Sequence, residues 1–515
     1  MRKVSVKIKT KDKGRKALKY ISTRDRTVRV SAAQAIAQGI SREAGLFVPE
    51  SLPRLSEERL RGLVELEYVD RACDILGDFL TDFTAGEIRA CVEGAYGGGK
   101  FDNSRIAPLS KLCPDAYLLE LWHGPTCAFK DMALQLLPHL LTRSGKKVAD
   151  GREICILVAT SGDTGKAALE GFRDVDGTRI LVFYPRDGVS DIQKLQMTTQ
   201  QGGNVGVWGV EGNFDDTQSF VKSIFTDKDI RARLESHNMS FSSANSINWG
   251  RLAPQIVYYI SAYCDLVAGG EIAFGDVVNA AVPTGNFGNI LAAYYAKKMG
   301  LPLGKLLCAS NINNVLTDFI RTGTYDRRRQ FHATSSPSMD ILISSNLERM
   351  LFALSDGDDK IVTDLMGQLA QNGCYTVSGE MRDLLQSELY GGFCDEARTA
   401  RTIKKTFEEY SYLCDTHTAV ALAVLEQYVR ETGNHTKTIV ASTANPYKFA
   451  GSILTAITGR QSGEDEFAQI NELSALTGTA VPPQILELRN SAVRFGESCT
   501  KDGMRDAVLG MLKIK

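Results

Sequence analysis

The stretch Val277-Val278-Asn279-Ala280-Ala281-Val282-Pro283-Thr284-Gly285-Asn286-Phe287-Gly288-Asn289 runs from an apolar, β-branched segment through a glycine-bearing turn into a helical pattern, Asn289–Met299. A strand apolar on both faces belongs inside a sheet that is covered on both sides. The same texture recurs at Ile154–Ala159, Ile180–Tyr184, Val205–Val210, Leu306–Ser310 and Thr438–Ser442. Helical patterns are interleaved at Thr164–Arg173, Asp191–Gln200 and His417–Tyr428. Buried strands alternating with helices predict an α/β fold with parallel sheets. In such folds ligands bind where loops leave the carboxyl ends of strands, so the chemistry is sought there.

Gly285 and Gly288 let the turn close tightly and aim several N–H groups at one point. The helix that follows adds its positive end, which makes a seat for phosphate. G-x-G-x-x-G is absent, so a dinucleotide is not implied, and a tight turn without a ligand stays open. A second strand-to-helix turn reads Ala159-Thr160-Ser161-Gly162-Asp163-Thr164-Gly165-Lys166. It imitates a P-loop but has Thr160 where the first glycine belongs and Ala167 where a hydroxyl belongs. Two readings remain for it: a seat for a substrate carboxylate, or a helix capped by Ser161 or Asp163. In Leu121–Asp131, Lys130 is flanked by Ala128 and Phe129. Burial there would favour the neutral, nucleophilic amine, yet the same residues also suit a surface lysine opening a helix. Pro138 should kink that helix.

At 515 residues the chain is long enough for two or three domains, and 60 basic against 61 acidic side chains leave a net charge of −1. That balance supplies no field to recruit nucleic acid or an anionic membrane, which leaves a small metabolite as partner. Arg327-Arg328-Arg329 reads as a solvated face. Eleven cysteines without a CxxC pair, and histidines not clustered with them, give no metal-ligand spacing. They suit free thiols in a reducing cytoplasm. No apolar run reaches the roughly 18–20 residues that span a bilayer. The first twenty residues carry nine Lys or Arg, but Val4, Val6 and Ile8 alternate with Ser5, Lys7 and Lys9, a strand pattern rather than a transit helix. Residues 20–98 read as mostly helical, with amphipathic stretches at Ser31–Gln38 and Glu57–Leu66, ending in the linker Gly97-Gly98-Gly99.

Taken in order, these segments resemble the longer bacterial and fungal type of threonine synthase over nearly the whole chain. The likeness is carried by Tyr20–Arg24, Val30-Ser31 and Gly45–Pro49, by His123–Thr126 with Phe129–Asp131, and by Ser161–Gly165. It continues through Asn245–Asn248 with Arg251, Gly285–Asn289, Ser336–Ile341, Ser344–Asn346, and Ser442–Pro446 with Lys448-Phe449. The resemblance implies a pyridoxal 5′-phosphate enzyme of fold type II: two parallel-type α/β domains with the cofactor between them, plus a mostly helical N-terminal domain. Residues 1–98 would form the N-terminal domain and 99–515 the catalytic region, with a smaller subdomain at about 131–250.

The resemblance also implies roles. Lys130 would carry the cofactor as a Schiff base and later move protons. Gly285, Asn286, Phe287, Gly288 and Asn289 would hold the cofactor phosphate, Thr443 its pyridine nitrogen, and Asp163 would lie near its hydroxyl. Ser161 and Thr164 would hold the substrate carboxylate. Asn245, Ser246, Asn248 and Arg251 would meet the substrate phosphate. The implied reaction turns O-phospho-L-homoserine and water into L-threonine and phosphate by γ-elimination and β-hydration, in a cytoplasmic monomer or homodimer with no metal. A phospholyase releasing 2-oxobutyrate, ammonia and phosphate is the nearest rival, and a non-catalytic metabolite-binding homologue the more distant one. Three positions depart from common patterns. Asn445 stands where the family often has His, and Trp122 where Phe is common. Asp163 stands where related enzymes often have Asn, so its carboxylate would need a proton or a donor.

Overall fold

The computed structural model describes residues 17–148, 151–160, 162–186, 189–212, 217, 220–221, 223–225, 227–461, 463 and 465–514. The strand pattern at Val4–Ile8 and the residue Ser161 lie outside them. Two parallel-containing sheets organise the chain. The larger has six strands in the order Leu389–Phe393, Leu303–Ser310, Val278–Pro283, Thr438–Ser442, Ala116–Glu120, Leu109–Cys113. All its pairings are parallel except the last, which is antiparallel. Val278–Pro283 is buried at every residue, as an apolar run in a covered sheet requires.

The smaller sheet is parallel throughout, in the order Ser498–Thr500, Val205–Glu211, Thr178–Pro185, Glu153–Ala159, Met239–Ser242. Its outermost strand thus comes from the far end of the chain, beyond the stretch 131–250, and the helix Met504–Leu512 packs on the same side. A three-residue strand is too short to show a period, so nothing in the sequence marked it.

The N-terminal region holds the helices Ala32–Gln38, Glu57–Val64, Tyr68–Phe79 and Ala85–Tyr96. Ser31 caps the first and Thr84 the last, each in a capping box with Gln34 or Glu87. It also holds an antiparallel sheet that a helical reading misses, ordered Asp25–Val30, Tyr20–Ser22, Phe47–Pro49. This sheet reaches the catalytic region through Glu348, which accepts from Thr23 Oγ1 at 2.5 Å and from Arg24 Nε and Nη2 at 2.9 and 2.7 Å.

Pro138 does more than kink a helix. Two helices, Asp131–Leu134 and Leu137–Val148, stand on either side of a break. Proline has no N–H to give to the Leu134 carbonyl. That carbonyl packs against Gly171, where a Cβ would come within 2.0 Å of it. The basic run near 327 is locally satisfied: Arg328 pairs with Asp326 at 2.9 Å and Arg329 with Asp318 at 2.8 Å. Among the described residues no helix is long and apolar enough to cross a membrane, and no group of three or more His, Cys, Asp or Glu could hold a metal.

Candidate active site

The registers Ala281↔Val440 and Ser442↔Glu120 align the carboxyl ends of three central strands of the larger sheet. Their loops, 284–287, 443–445 and 121–130, therefore leave from one edge. They are knitted together there: Phe129 N donates to Thr443 O at 2.8 Å, and Asn445 N to Cys127 O at 3.0 Å. In the smaller sheet Ile156↔Ser242 likewise sends the loops after Ala159 and Ser242 in one direction. The two loop sets meet at Lys130.

Lys130 is buried at the start of the helix Asp131–Leu134. Asp131 anchors the preceding turn, since its carboxylate accepts from Thr126 N and Thr126 Oγ1, both at 2.8 Å. The Lys130 amine donates to Ser338 Oγ at 3.0 Å and lies 3.6 Å from Asp163 Oδ2. Burial, aided by the charges of Lys448 and Arg251, outweighs Asp163 and lowers its pKa. The open question between a surface lysine and a buried amine is thereby closed in favour of burial.

Asp163 has the donor its position demanded. Lys448 Nζ lies 2.8 Å from Asp163 Oδ1 and also donates to Thr126 O at 3.0 Å. Gln193 Nε2 donates to Asp163 as well, at 3.3 Å. Burial alone would raise this carboxyl, but Lys448 and then Lys130 overcome it and hold it well below the usual carboxylate range. Of the two caps expected for the helix Asp163–Phe172, Ser161 lies outside the described residues and Asp163 is the first helical residue rather than the cap. Gly162 occupies the cap without a side-chain bond, and Thr160 Oγ1 accepts from Gly162 N and Gly165 N at 3.0 and 2.9 Å. Thr164 is half-buried in the first turn.

The turn Gly285–Asn289 needs its glycine at 285, while at Gly288 a Cβ would meet only ordinary contacts. A Cβ on Gly285 would come within 2.5 Å of Ser338 O. Phe287 takes a left-handed conformation, φ 62°, immediately before the helix Gly288–Met299. The first-turn N–H groups of that helix have no intrahelical partner. Asn289 is buried; Tyr259 OH donates to its Oδ1, while its Nδ2 has no partner among the described residues. Asn286 is exposed, and its carbonyl accepts from Asn346 N and Nδ2 at 3.1 and 3.0 Å.

Beside that turn lies the loop 243–248. Ser246 Oγ is 3.3 Å from Ser345 Oγ, and Ser345 Oγ donates to Asn286 Oδ1 at 3.1 Å. Asn245 is exposed, with its Oδ1 accepting from Ser246 N at 2.6 Å. Arg251 is buried on the helix Trp249–Ala268 and donates from Nη1 to Ala244 O at 3.0 Å, while its Nε has no partner. Burial lowers it to about 10, and no carboxylate pairs with it among the described residues. Asn248 is different. It caps that helix by accepting from Gly250 N at 2.9 Å, and its amide donates to Ile36 O and Ser243 O at 3.0 Å each. Both hydrogens of its amide are given to backbone carbonyls, so it shapes the loop and has no donor left for a phosphate.

Thr443 is buried at the end of the strand Thr438–Ser442, facing the Lys130 loop. Asn445 accepts from Tyr447 N at 3.1 Å and so caps the turn Pro446–Phe449 that carries Lys448. Trp122 donates from Nε1 to Ser442 Oγ at 3.1 Å, a bond phenylalanine cannot make. Lys448, Ser338 and His417 were not singled out as site residues by sequence reasoning. For Lys448 a signal existed, because Asp163 required a cation.

Lys130 and Lys448 share the carboxylate of Asp163, while Arg251, whose charge acts on Lys130, pairs with no carboxylate among the described residues, an arrangement that suits anionic ligands. The donor set fits pyridoxal phosphate: a buried amine of lowered pKa, a glycine turn with an unpartnered amide donor, and the hydroxyl residue Thr443 nearby.

Known proteins resemble the chain along its length. The chain matches the families described as "Threonine synthase N terminus" over residues 19–96, "Pyridoxal-phosphate dependent enzyme" over 104–444 and "Threonine synthase, C-terminal" over 418–485. It is 41% identical over 482 residues to "Threonine synthase-like 1" of Homo sapiens, covering 90% of this chain and 64% of that protein. The chain thus spans just under two thirds of that relative. It is 36% identical over 449 residues to the threonine synthase of Pseudomonas aeruginosa, covering 86% of this chain and 91% of that one. The crystal structure of PLP-bound threonine synthase from Brucella melitensis superposes with a TM-score of 0.86 at 34% identity, covering 97% of this chain and 100% of that one. A buried lysine at the junction of two parallel-containing sheets, with a glycine turn beside it and these matches along its length, makes the chain a member of the threonine synthase family of pyridoxal-phosphate-dependent enzymes.

Proposed function

We propose that the chain converts O-phospho-L-homoserine and water into L-threonine and inorganic phosphate. The observation that carries this reading is Arg251, a buried guanidinium with spare donor capacity and no carboxylate partner among the described residues, whose charge reaches Lys130. If that turn holds the cofactor phosphate, Arg251 with Ser246 and Asn245 is left for a second phosphate, that of the substrate. In this reading Thr164 and Ser161 take the substrate carboxylate, and Thr443 offers its hydroxyl to the pyridine nitrogen. Bound pyridoxal phosphate supplies the electron sink that makes protons next to an attached amino group removable.

Lys130 holds and moves the protons. Burial favours its neutral form, which is able to accept a proton at the α-carbon and to return one at the γ-carbon. Asp163, kept ionised by Lys448, holds negative charge beside that amine and fixes where it points. Arg251 stabilises the departing phosphate as charge builds on it, and the burial of these groups strengthens each interaction by excluding water. The eleven cysteines are all unpaired, which supports a reducing, cytoplasmic setting. A monomer or homodimer would suffice, because one chain carries every group named here.

A second reading is favoured by one observation: identity is higher to proteins named threonine synthase-like 1 than to the threonine synthases, 41% against 36%. In that reading water does not add at the β-carbon but hydrolyses the released enamine, and the products are 2-oxobutyrate, ammonia and phosphate. Incubation of the purified enzyme with O-phospho-L-homoserine decides between them. Threonine and phosphate in equal amounts support the synthase; 2-oxobutyrate without threonine sinks it. Lys130→Ala should lower turnover by about 1,000-fold and remove the visible absorbance of the resting enzyme.

A further inference from the structure

We propose that His417 is a positioning residue for Lys130, acting through Ser338; this rests on Lys130 being the cofactor lysine but not on which product is released. The Lys130 amine donates to Ser338 Oγ at 3.0 Å. The backbone N–H of Ser338 in turn donates to His417 Nε2 at 3.2 Å. His417 Nδ1 lies 2.9 Å from Asp415 Oδ1. His417 and Asp415 are buried, 3% and 0% exposed.

This geometry admits one tautomer. Nε2 must offer a lone pair to the Ser338 amide, so the ring proton resides on Nδ1 and is given to Asp415. Asp415 is itself fixed as the cap of the helix Thr416–Thr432, accepting from His417 N at 2.8 Å and from Thr418 Oγ1. The Phe449 ring lies against the imidazole, 5.1 Å between centroids. The imidazole therefore has little freedom to turn.

Ser338 lies in the single turn Pro337–Met339, and its carbonyl packs on Gly285, where a Cβ would come within 2.5 Å. One residue thus touches both the Lys130 amine and the phosphate turn. Whatever holds the Ser338 backbone holds the distance between them. His417 is that support from the larger sheet's side. It is not a proton relay, because the link to Ser338 passes through an amide N–H, which does not exchange protons on the time scale of turnover. Its action is on geometry alone, as for outer-shell partners that orient a ligand.

The test uses the holoenzyme and four variants: His417→Leu, His417→Gln, Ser338→Ala and the double variant His417→Leu/Ser338→Ala. The readouts are kcat and KM separately, thermal unfolding, and the pH titration of the resting enzyme's visible absorbance without substrate. Expected is a fall in kcat of about 10- to 100-fold for His417→Leu with KM little changed, and a displaced absorbance titration. His417→Gln, whose amide oxygen can replace Nε2 as acceptor, should stay within about threefold of the parent and keep its titration. Ser338→Ala should match His417→Leu, and the double variant should be no worse than Ser338→Ala alone. Effects that multiply in the double variant, or equal losses for Leu and Gln, overturn the proposal. If His417→Leu does not fold, Ser338→Ala with an unchanged titration overturns it, and a displaced titration there with a normal one in His417→Gln upholds it.

Discussion

Arg251 and Arg349 are both buried guanidiniums, and burial lowers each to about 10. Their surroundings differ. Arg349 donates from Nε to Phe47 O at 3.0 Å, from Nη1 to Asn346 Oδ1 at 2.5 Å and from Nη2 to Ile247 O at 2.7 Å. It joins the N-terminal sheet, the loop before the helix Trp249–Ala268 and the segment beside Asn286. Among the described residues Arg251 has one protein acceptor and an Nε without a partner. The lesson is that burial and a shifted pKa do not separate a strut from a binding group. Unspent hydrogen-bonding capacity does, because a buried donor is rarely left unsatisfied without a reason.

Replacement by methionine should split the two. Arg251→Met is expected to lower kcat/KM for O-phospho-L-homoserine by about 100-fold, or roughly 3 kcal/mol, with the unfolding midpoint unchanged or raised. Arg349→Met should do the reverse. It strands three buried acceptors and should cost about 2 kcal/mol in denaturant unfolding, with a smaller effect on KM. If Arg251→Met unfolds as readily as Arg349→Met and binds substrate normally, the distinction fails. Lys448→Met sharpens the comparison from the side of a cation paired with a buried carboxylate. It should lower kcat by about tenfold by freeing Asp163 and the Thr126 carbonyl. Asp163 is depressed in the fold, so its contribution to stability is present above its unfolded value and lost as pH falls through the folded one. Removing Lys448 takes away the strongest lowering influence, so acid unfolding of the variant should begin at higher pH than in the parent.

How much of this the sequence disclosed follows from how local each cause is. The covered strands are legible because burial on both faces writes an apolar run, as in Val278–Pro283, and the Gly285–Asn289 turn because backbone geometry writes glycines. Tyr20–Ser22 and Phe47–Pro49 are too short to show alternation, and Ser498–Thr500 is a strand only because Val205–Glu211 is there to pair with it. Lys130 reads locally as an ordinary lysine; what depresses its amine is burial by segments remote in sequence. Asn248 is hard to assign for the opposite reason. Its position before a long apolar helix marks it as a cap, and the cap consumes it. His417 stands in an apolar helical run, and only Asp415 beside it and Ser338 across the site give it a role.

The same contrast between spent and unspent capacity extends to His123, with a smaller expected effect. Its Nδ1 lies 2.5 Å from Asp102 Oδ1 and its Nε2 2.9 Å from Glu120 Oε2, while Trp122 stacks on the ring at 4.2 Å. Burial alone would depress the imidazole, but the bonds to Asp102 and Glu120 outweigh it and raise it to about 9. A base whose folded pKa is raised contributes stability that is complete below the unfolded value, about 6.5, and fades as pH rises through the folded one. Unfolding free energy should therefore fall between about pH 6.5 and 9 by an amount on the order of 1 kcal/mol. His123→Gln should flatten that slope, lowering stability at pH 6 more than at pH 9. Both ring nitrogens are already committed to protein carboxylates, so KM should stay within about twofold of the parent. A large rise in KM with the slope intact would place His123 with Arg251 rather than with Arg349.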